Sequence, residues 1–182
     1  MPADAETGTI LIRAVADGDM EAIQDIYAHH VLEGLASFEE TPPDVAELTR
    51  RRDAHLTAGY PYLVAEVEGR VLGYAYVAAY RPRPAYLHSV ENSVYVAKGT
   101  QRQGVGGRLL ERLIERCAEK GYRQMIAIIG DSDNESSIGL HSRLGFEMIG
   151  VLPCVGFKFG RWVDQVIMQL PLGRGGDTLP DS

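Results

Sequence analysis

The chain has 182 residues, of which 45% are hydrophobic and 24% charged, and its formal net charge is −7. This length suits a single domain with a sizeable core, and the composition is ordinary for a globular protein. The acidic balance argues against a nucleic-acid-binding surface, so we expect no nucleic-acid partner.

Targeting signals and metal-binding patterns are not evident. No early segment has the shape of a signal peptide, and no uncharged apolar run reaches the roughly 18 residues of a spanning helix. We therefore expect a cytoplasmic protein with no membrane partner. Two cysteines, Cys117 and Cys154, are too few for a disulfide framework or a structural zinc site, so no metal is expected.

The first part of the chain predicts a strand and two helices. Residues 10–13 read as the strand, and Asp17 or Asp19 is a candidate N-cap for the helix that follows. Residues 41–44, Thr-Pro-Pro-Asp, indicate a second helix with its cap at Thr41 and a proline at the first helical position. This helix is expected to run to about Ala58.

Three strands are predicted next. Residues 62–67 and 71–80 form a hairpin around a Glu68-Gly69 turn. Residues 81–86 contain two prolines and cannot continue a central strand, and residues 90–96 resume the sheet.

The remaining elements complete the predicted fold. A helix follows residue 106, with an apolar stripe at Leu109, Leu110, Leu113, Ile114 and Cys117. Then come a strand at 124–129, a helix at 134–144 closed by Gly145, and strands at 146–155 and 163–170. This order predicts an α/β domain of the α+β type. Its central sheet is mixed and mostly antiparallel, with about seven strands and helices on both faces. We expect a flexible N-terminus at 1–9, one domain at 10–172 and a disordered tail at 173–182.

A glycine-rich turn between the strand at 90–96 and its helix predicts a phosphate site. The first N–H groups of a helix have no intrahelical partner and carry partial positive charge. Gly104, Gly106 and Gly107 let the backbone approach a ligand and tolerate positive φ.

Two familiar phosphate loops do not match this turn. Gly99 and Gly104 have P-loop spacing, but Val105 and Gly106 stand where Lys and Ser or Thr are needed. A dinucleotide fingerprint would require glycine or alanine where Leu109 stands. What remains is Gln-x-x-Gly-x-Gly after a valine-rich strand, with a turn that binds no ligand as the alternative.

This pattern resembles the coenzyme A pyrophosphate loop of the GNAT superfamily of N-acetyltransferases. Residues 134–146 are similar to a second GNAT signature, in which an asparagine opens a helix ending in Leu-Gly-Phe. Residues 90–96 and 155–164 resemble the phosphinothricin and methionine sulfoximine N-acetyltransferase branch, which includes acyltransferases of free L-amino acids. The resemblance covers residues 10–172 and implies a GNAT fold.

The resemblance implies where acetyl-CoA binds. In this superfamily the strand before the loop splays from its neighbour, and the pantetheine arm lies between them, bonded to main chain. Asn134 would hydrogen-bond the arm, and the Val96 N–H would polarise the thioester carbonyl. The implied coenzyme A contacts are Val94, Tyr95, Val96, Gln101, Arg102, Gln103, Gly104, Val105, Gly106, Gly107 and Asn134.

The resemblance implies two catalytic side chains. It also implies five residues that bind the acceptor, one of which is itself catalytic. The resemblance makes Glu91 the general base, and burial beside apolar neighbours would raise its pKa. His141 stands where many GNAT enzymes place a tyrosine, and it could serve as acid or base. The implied acceptor-binding residues are Phe38, Arg81, Arg83, Tyr86 and Glu91.

The sequence therefore predicts an acetyl-CoA-dependent N-acetyltransferase of a small amino-acid-like amine, working by direct transfer in a ternary complex. A homodimer is expected, as in related enzymes. The alternatives are a protein or aminoglycoside N-acetyltransferase and a non-catalytic acyl-CoA-binding sensor. The sensor would keep the glycine-rich turn and lose the base, so Glu91 weighs against it.

Overall fold

The computed structural model describes residues 9–100 and 103–180, so Gln101 and Arg102 of the predicted phosphate turn lie outside the described residues. Asp17–Asp19 forms a short 3₁₀ turn just before the first helix, and Pro84–Tyr86 forms another just before the fourth strand. The elements are β1 (Leu11–Ala14), α1 (Met20–Glu33), α2 (Val45–Thr57), β2 (Tyr62–Val67), β3 (Arg70–Ala79), β4 (Ser89–Val96), α3 (Val105–Glu119), β5 (Gln124–Gly130), α4 (Glu135–Arg143), β6 (Glu147–Lys158) and β7 (Arg161–Pro171).

These strands form one seven-stranded sheet in the order β1-β2-β3-β4-β5-β7-β6. Neighbouring strands are antiparallel, except that β4 and β5 run parallel. Parallel neighbours need a crossover connection, and α3 provides it. The structure therefore confirms the predicted α/β fold with a mixed, mostly antiparallel sheet.

Helices cover both faces of this sheet. Leu63 and Ala65 of β2 lie in one core with α3, whereas Tyr62 and Val64 lie in a second core with α1. This division follows the period of two along a strand. The predicted stripe of α3 is confirmed, because its apolar residues pack in the first core. Four of them are fully buried: Leu109, Leu110, Leu113 and Cys117.

Asp19, one of the two predicted candidates, is the N-cap residue of α1, but its side chain does not act as the cap. The Asp19 carboxylate makes no capping bond to α1, which begins at Met20. Instead it accepts two hydrogen bonds from the Arg13 guanidinium, at 2.7 and 2.8 Å, and one from the Ala16 N–H at 2.7 Å. The side chain therefore ties the end of β1 to the turn before α1.

The start of α2 also differs, because the helix begins three residues later than the Thr41 cap predicts. Its N-cap is Asp44, whose Oδ1 accepts the Glu47 N–H at 2.8 Å. Aspartate is preferred to threonine as an N-cap, and the proline that favoured a helix start after Thr41 does not outweigh this preference. Prolines at 42 and 43 therefore lie before the helix and not in its first turn.

The segment after β7 lies against the start of β5. The Arg123 guanidinium donates to the carbonyls of Gly175 at 3.4 Å and Leu179 at 2.8 Å, and to Thr178 Oγ1 at 3.1 Å. The division of the chain at residues 9 and 172 stays a prediction. In the described ranges, none of the helices combines the length and the apolar character needed to cross a membrane.

The position of the α2 cap can be tested by two alanine substitutions. Asp44→Ala should lower the free energy of unfolding by about 1 kcal/mol, because the Glu47 N–H loses its acceptor. Thr41→Ala is the matched control and should change it by less than about 0.5 kcal/mol. Urea denaturation measures both. A larger loss in the Thr41 variant would restore the earlier helix start.

Candidate active site

The central feature of the site is a gap between β4 and β5. The two strands pair from Ser89 and Gln124 as far as Asn92 and Ala127, and the pairing ends there. Beyond that point β4 follows β3 as far as Val96, while β5 follows β7 to its end. The strands therefore part in the middle of the sheet, as the resemblance implies.

The main chain of β4 directs peptide groups into this gap. The Ala97 N–H donates to the Leu72 carbonyl at 2.9 Å, and the Ser89 carbonyl accepts from the Tyr80 N–H at 3.4 Å. Odd-numbered residues of this segment thus bond toward β3. Because peptide groups alternate along a strand, those of Val94 and Val96 point toward the gap.

A histidine of α1 supports the end of β4. His30 Nε2 lies 2.9 Å from the Val96 carbonyl oxygen, and the imidazole ring packs against Tyr95 with centroids 5.3 Å apart. Burial lowers the pKa of His30, which favours a neutral ring that donates through Nε2. No local sequence pattern marks this residue, because its partner lies 66 positions away.

The predicted phosphate turn leads into α3. Gly104 is the N-cap of this helix and has a φ of +82°, a left-handed conformation that favours glycine. Gly106 and Gly107 are helical, so of these three glycines only Gly104 needs positive φ. The free N–H groups of the first turn of α3 lie beside the gap.

The two helical glycines have different surroundings. A Cβ on Gly106 would lie 3.4 Å from Leu140 Cδ2, in ordinary van der Waals contact with α4. A Cβ on Gly107 would meet nothing closer than 3.9 Å. Glycine costs a helix about 0.8–1.0 kcal/mol relative to alanine, and protein packing does not require it at Gly107. A glycine here leaves the helix backbone accessible to a ligand.

Two cavities open along the gap, and we call them the outer groove and the inner cavity. The outer groove has a volume of about 390 Å³, and the inner cavity has a volume of about 220 Å³. Ala36, Val94, Asn134 and Ser137 line both, so the two cavities meet. The groove also contacts His30, Val96, Gly104, Val105, Gly106 and Gly107.

Glu91 lines the inner cavity where β4 and β5 part. Its side chain is half-buried, and this burial raises the pKa of the carboxyl group. The positive charge of Arg81 partly opposes that rise. A carboxylate with a raised pKa is suited to accept a proton, and the general-base role of Glu91 stays a prediction.

His141 lines the same cavity from α4 and is only 3% exposed. Its Nδ1 lies 2.8 Å from the Ser137 carbonyl oxygen, and its Nε2 lies 3.1 Å from Asn92 Oδ1. Burial lowers the pKa of the imidazole, and the bond to Ser137 partly opposes this. Both ring nitrogens thus face oxygen acceptors, and a neutral ring, which has one N–H, donates to only one of the two.

Asn92 is a further site residue, one that the sequence motifs did not reveal. It is 6% exposed, and its Nδ2 donates to the Ile126 carbonyl of β5 at 3.1 Å. Its Oδ1 faces His141 Nε2. The Asn92 amide therefore connects the last paired position of β4 and β5 to α4. A polar residue between Val90 and Val94, on the buried side of the strand, was the available signal.

Asn134 lies where both cavities meet. Its Oδ1 accepts the Ser137 N–H at 3.1 Å and caps α4, and its Nδ2 donates to the Gly130 carbonyl at 3.4 Å. Gly145 has a φ of +90° and closes the same helix, as predicted. Asn134 is therefore fixed at the junction of β5 and α4.

The predicted acceptor-binding residues divide into two groups. Phe38 lines the inner cavity with Glu91. Arg81, Arg83 and Tyr86 are exposed and line neither cavity. Arg81 lies over the Tyr80 ring, 5.1 Å from its centroid, and Tyr86 meets the edge of the same ring. Within the described residues, no three His, Cys, Asp or Glu side chains are grouped to hold a metal ion.

Known proteins are similar to this chain. The acetyltransferase (GNAT) domain family matches residues 12–167. A phosphinothricin N-acetyltransferase of Alcaligenes faecalis is 55% identical over 93% of this chain and 86% of its own length. An L-methionine sulfoximine/L-methionine sulfone acetyltransferase of Pseudomonas paraeruginosa is 45% identical, over 88% of this chain and 94% of its own.

A solved structure is also similar. It is a GNAT superfamily phosphinothricin acetyltransferase from Sinorhizobium meliloti in complex with AcCoA, with a TM-score of 0.92. The two chains are 45% identical, and the match covers 96% of this chain and 94% of the other.

The electrostatic environment of Glu91 can be tested by titration. Arg81→Gln should raise the pKa of Glu91 further, because a positive charge that stabilises its carboxylate is removed. Carbon-13 NMR of the glutamate carboxyl groups follows the change. Arg83→Gln is the control, because it removes a positive charge from the same loop, and it should leave the pKa of Glu91 unchanged. If Glu91 has the same pKa in the wild type and in the Arg81→Gln variant, the effect of Arg81 is contradicted.

Proposed function

Because the chain belongs to the GNAT family of acetyltransferases, we propose that it acetylates the amino group of a small amino-acid-like substrate with acetyl-CoA. Phosphinothricin, methionine sulfoximine and free L-amino acids are the substrate types that we propose. The observation that carries this proposal is the placement of Glu91. A half-buried carboxyl group with a raised pKa lines the inner cavity, which opens into the outer groove.

We propose that acetyl-CoA occupies the outer groove. The N–H groups of Val94 and Val96 and the Val94 carbonyl face the gap and offer hydrogen bonds to an extended pantetheine arm, while the Val96 carbonyl bonds to His30. The first turn of α3 offers free N–H groups and partial positive charge for a pyrophosphate. The proposed contacts are Val94, Tyr95, Val96, Gln101, Arg102, Gln103, Gly104, Val105, Gly106, Gly107 and Asn134.

Bound acetyl-CoA supplies a thioester, and the chain must prepare the amine that attacks it. Glu91 takes a proton from the ammonium group, which frees the nitrogen lone pair. A C–N bond then forms at the carbonyl carbon and the C–S bond breaks. The nitrogen loses a second proton, the thiolate gains one, and one proton in total leaves for solvent. Both substrates are bound together, so the transfer is direct.

We propose His141 as the second catalytic group, which acts once its contact with Asn92 is released. Its lowered pKa favours a neutral imidazole, which suits a proton acceptor better than a proton donor. Nε2 faces Asn92, so proton transfer requires this contact to be exchanged for one with the substrate. Until then, His141 and Asn92 fix the wall of the inner cavity.

The size of the inner cavity favours a small acceptor. Its volume of about 220 Å³ lies below the roughly 300–1,000 Å³ of sites for drug-sized ligands. This supports an amino acid over a peptide or an aminoglycoside. Phe38 would contact the side chain of the acceptor, and the exposed Arg81, Arg83 and Tyr86 would approach its acidic group from the rim.

We also propose that two copies of the chain associate through β6 and β7. β6 is an edge strand, and large apolar side chains of the β6–β7 hairpin are exposed. Exposed apolar patches and free strand edges both favour association. The exposed side chains are Met148, Ile149, Val151, Leu152, Val155, Phe157, Phe159 and Trp162.

The proposed reaction is tested by mixing the protein with acetyl-CoA and a panel of amines, and following the release of free thiol. The panel contains amino acids, methionine sulfoximine, phosphinothricin, an aminoglycoside and a peptide. We expect release with the small amino-acid-like compounds. Glu91→Gln should lower kcat by roughly two to four orders of magnitude, the range for loss of a general base.

A matched substitution controls for the removal of charge. Glu111→Gln changes an exposed carboxylate on α3 and should leave kcat unchanged. Unchanged turnover in Glu91→Gln would remove Glu91 from the mechanism. Binding of coenzyme A without thiol release from any amine would favour the non-catalytic sensor.

A further inference from the structure

A buried lysine connects the edge strand β6 to the chain between α1 and α2. Lys158 is 2% exposed, and its Nζ donates to the Gly34 carbonyl at 2.9 Å and the Ser37 carbonyl at 2.7 Å. We call residues 34–38 the 34–38 loop. One ammonium group therefore holds both ends of this loop.

Burying an ammonium group is unfavourable unless hydrogen bonds replace its water. Here burial lowers the pKa of Lys158, and the charges of Glu39 and Glu40 partly oppose this. Nζ also lies 4.9 Å from the centre of the Phe159 ring, a favourable position for a cation. The charge is thus directed at main-chain carbonyls, which fix the course of a loop.

Two glycines seat the same loop against the sheet. A Cβ on Gly130, at the end of β5, would overlap the Leu35 carbonyl oxygen. A Cβ on Gly156 of β6 would overlap the Phe38 ring. Neither glycine has a positive φ, so their lack of a side chain serves this close approach.

The 34–38 loop lines both halves of the site. Leu35 contacts the outer groove, Phe38 contacts the inner cavity, and Ala36 contacts both. At the far end, Ser37 Oγ lies 2.9 Å from the Tyr27 hydroxyl, which fixes the loop to α1. Lys158 fixes it from β6, on the opposite side. The position of the Phe38 ring in the inner cavity therefore depends on β6.

We propose that Lys158 is a positioning residue that sets acceptor selectivity, by holding the Phe38 ring on Gly156 as a wall of the inner cavity. This inference rests on the proposed function. It assigns Lys158 no contact with a reacting atom. The effect should fall on acceptor binding, because the catalytic carboxylate is on β4 and not on the loop.

The first test replaces the ammonium group by an apolar chain of similar length. Lys158→Met should raise the KM for the acceptor at least about tenfold, with kcat changed less than about threefold, because binding and not transition-state contact is lost. The KM for acetyl-CoA should rise less. Lys120→Met removes an exposed lysine at the end of α3 and is the matched control. It should behave as the wild type.

The second test reaches the same ring without touching the lysine. Gly156→Ala should also raise the acceptor KM, because the added Cβ displaces Phe38. In a Phe38→Ala background the Gly156→Ala change should add nothing to KM. Lys158→Met and Gly156→Ala should each change the ratio of kcat/KM for alanine to kcat/KM for methionine sulfoximine. Thermal unfolding of every variant shows whether it is folded at the assay temperature.

The outcomes separate this inference from the proposed function. A wild-type protein that acetylates no amine in the panel contradicts the proposed function. An active wild type, with Lys158→Met and Gly156→Ala variants of unchanged acceptor KM and selectivity, overturns the role of Lys158. A lower melting temperature with unchanged KM in the folded variants also overturns it, since a purely structural contact gives that result.

Discussion

The parting of β4 and β5 is the constraint on which the site depends. A parallel pair normally satisfies its peptide groups between the strands. Here the pairing ends at Asn92 and Ala127, because each strand continues along a different neighbour. The N–H groups of Val94 and Val96 and the Val94 carbonyl are left facing a gap, where they offer main-chain hydrogen bonds to a ligand.

The elements around this gap place polar and charged groups beside it. The first turn of α3 and the capped start of α4 both open beside it. Glu91 lies at the point of parting, where burial raises its pKa. Groups suited to binding an anionic ligand and a group suited to accepting a proton are therefore held by one framework. The 34–38 loop covers it from α1, with Lys158 as its tie to β6.

Local patterns made much of the fold predictable. The apolar stripe of α3, the hairpin at β2 and β3, and the closure of α4 by Gly145 each depend on neighbours within a few positions. The glycine-rich turn and the Asn134 segment are informative for the same reason. Together these two sequence motifs indicate a coenzyme A site and the family.

Long-range contacts were not predictable in this way. The bonds of His30 to Val96 and of Lys158 to Gly34 join residues 66 and 124 positions apart. No periodicity marks such pairs. The predicted start of α2 was wrong for a different reason, because two residues that can cap a helix, Thr41 and Asp44, lie close together. Arg83 was predicted from its residue type, its loop and the resemblance together. In the structure it is exposed and lines neither cavity, so a residue type does not by itself fix a cavity wall.

Amide hydrogen exchange at β4, with and without coenzyme A, tests the role of the gap most directly. We predict that exchange at Val94 and Val96 slows on binding, because their N–H groups then gain a partner in the gap. The Ala97 amide already bonds to Leu72 and serves as an internal reference. Unchanged exchange at Val94 and Val96 under saturating coenzyme A would contradict this role.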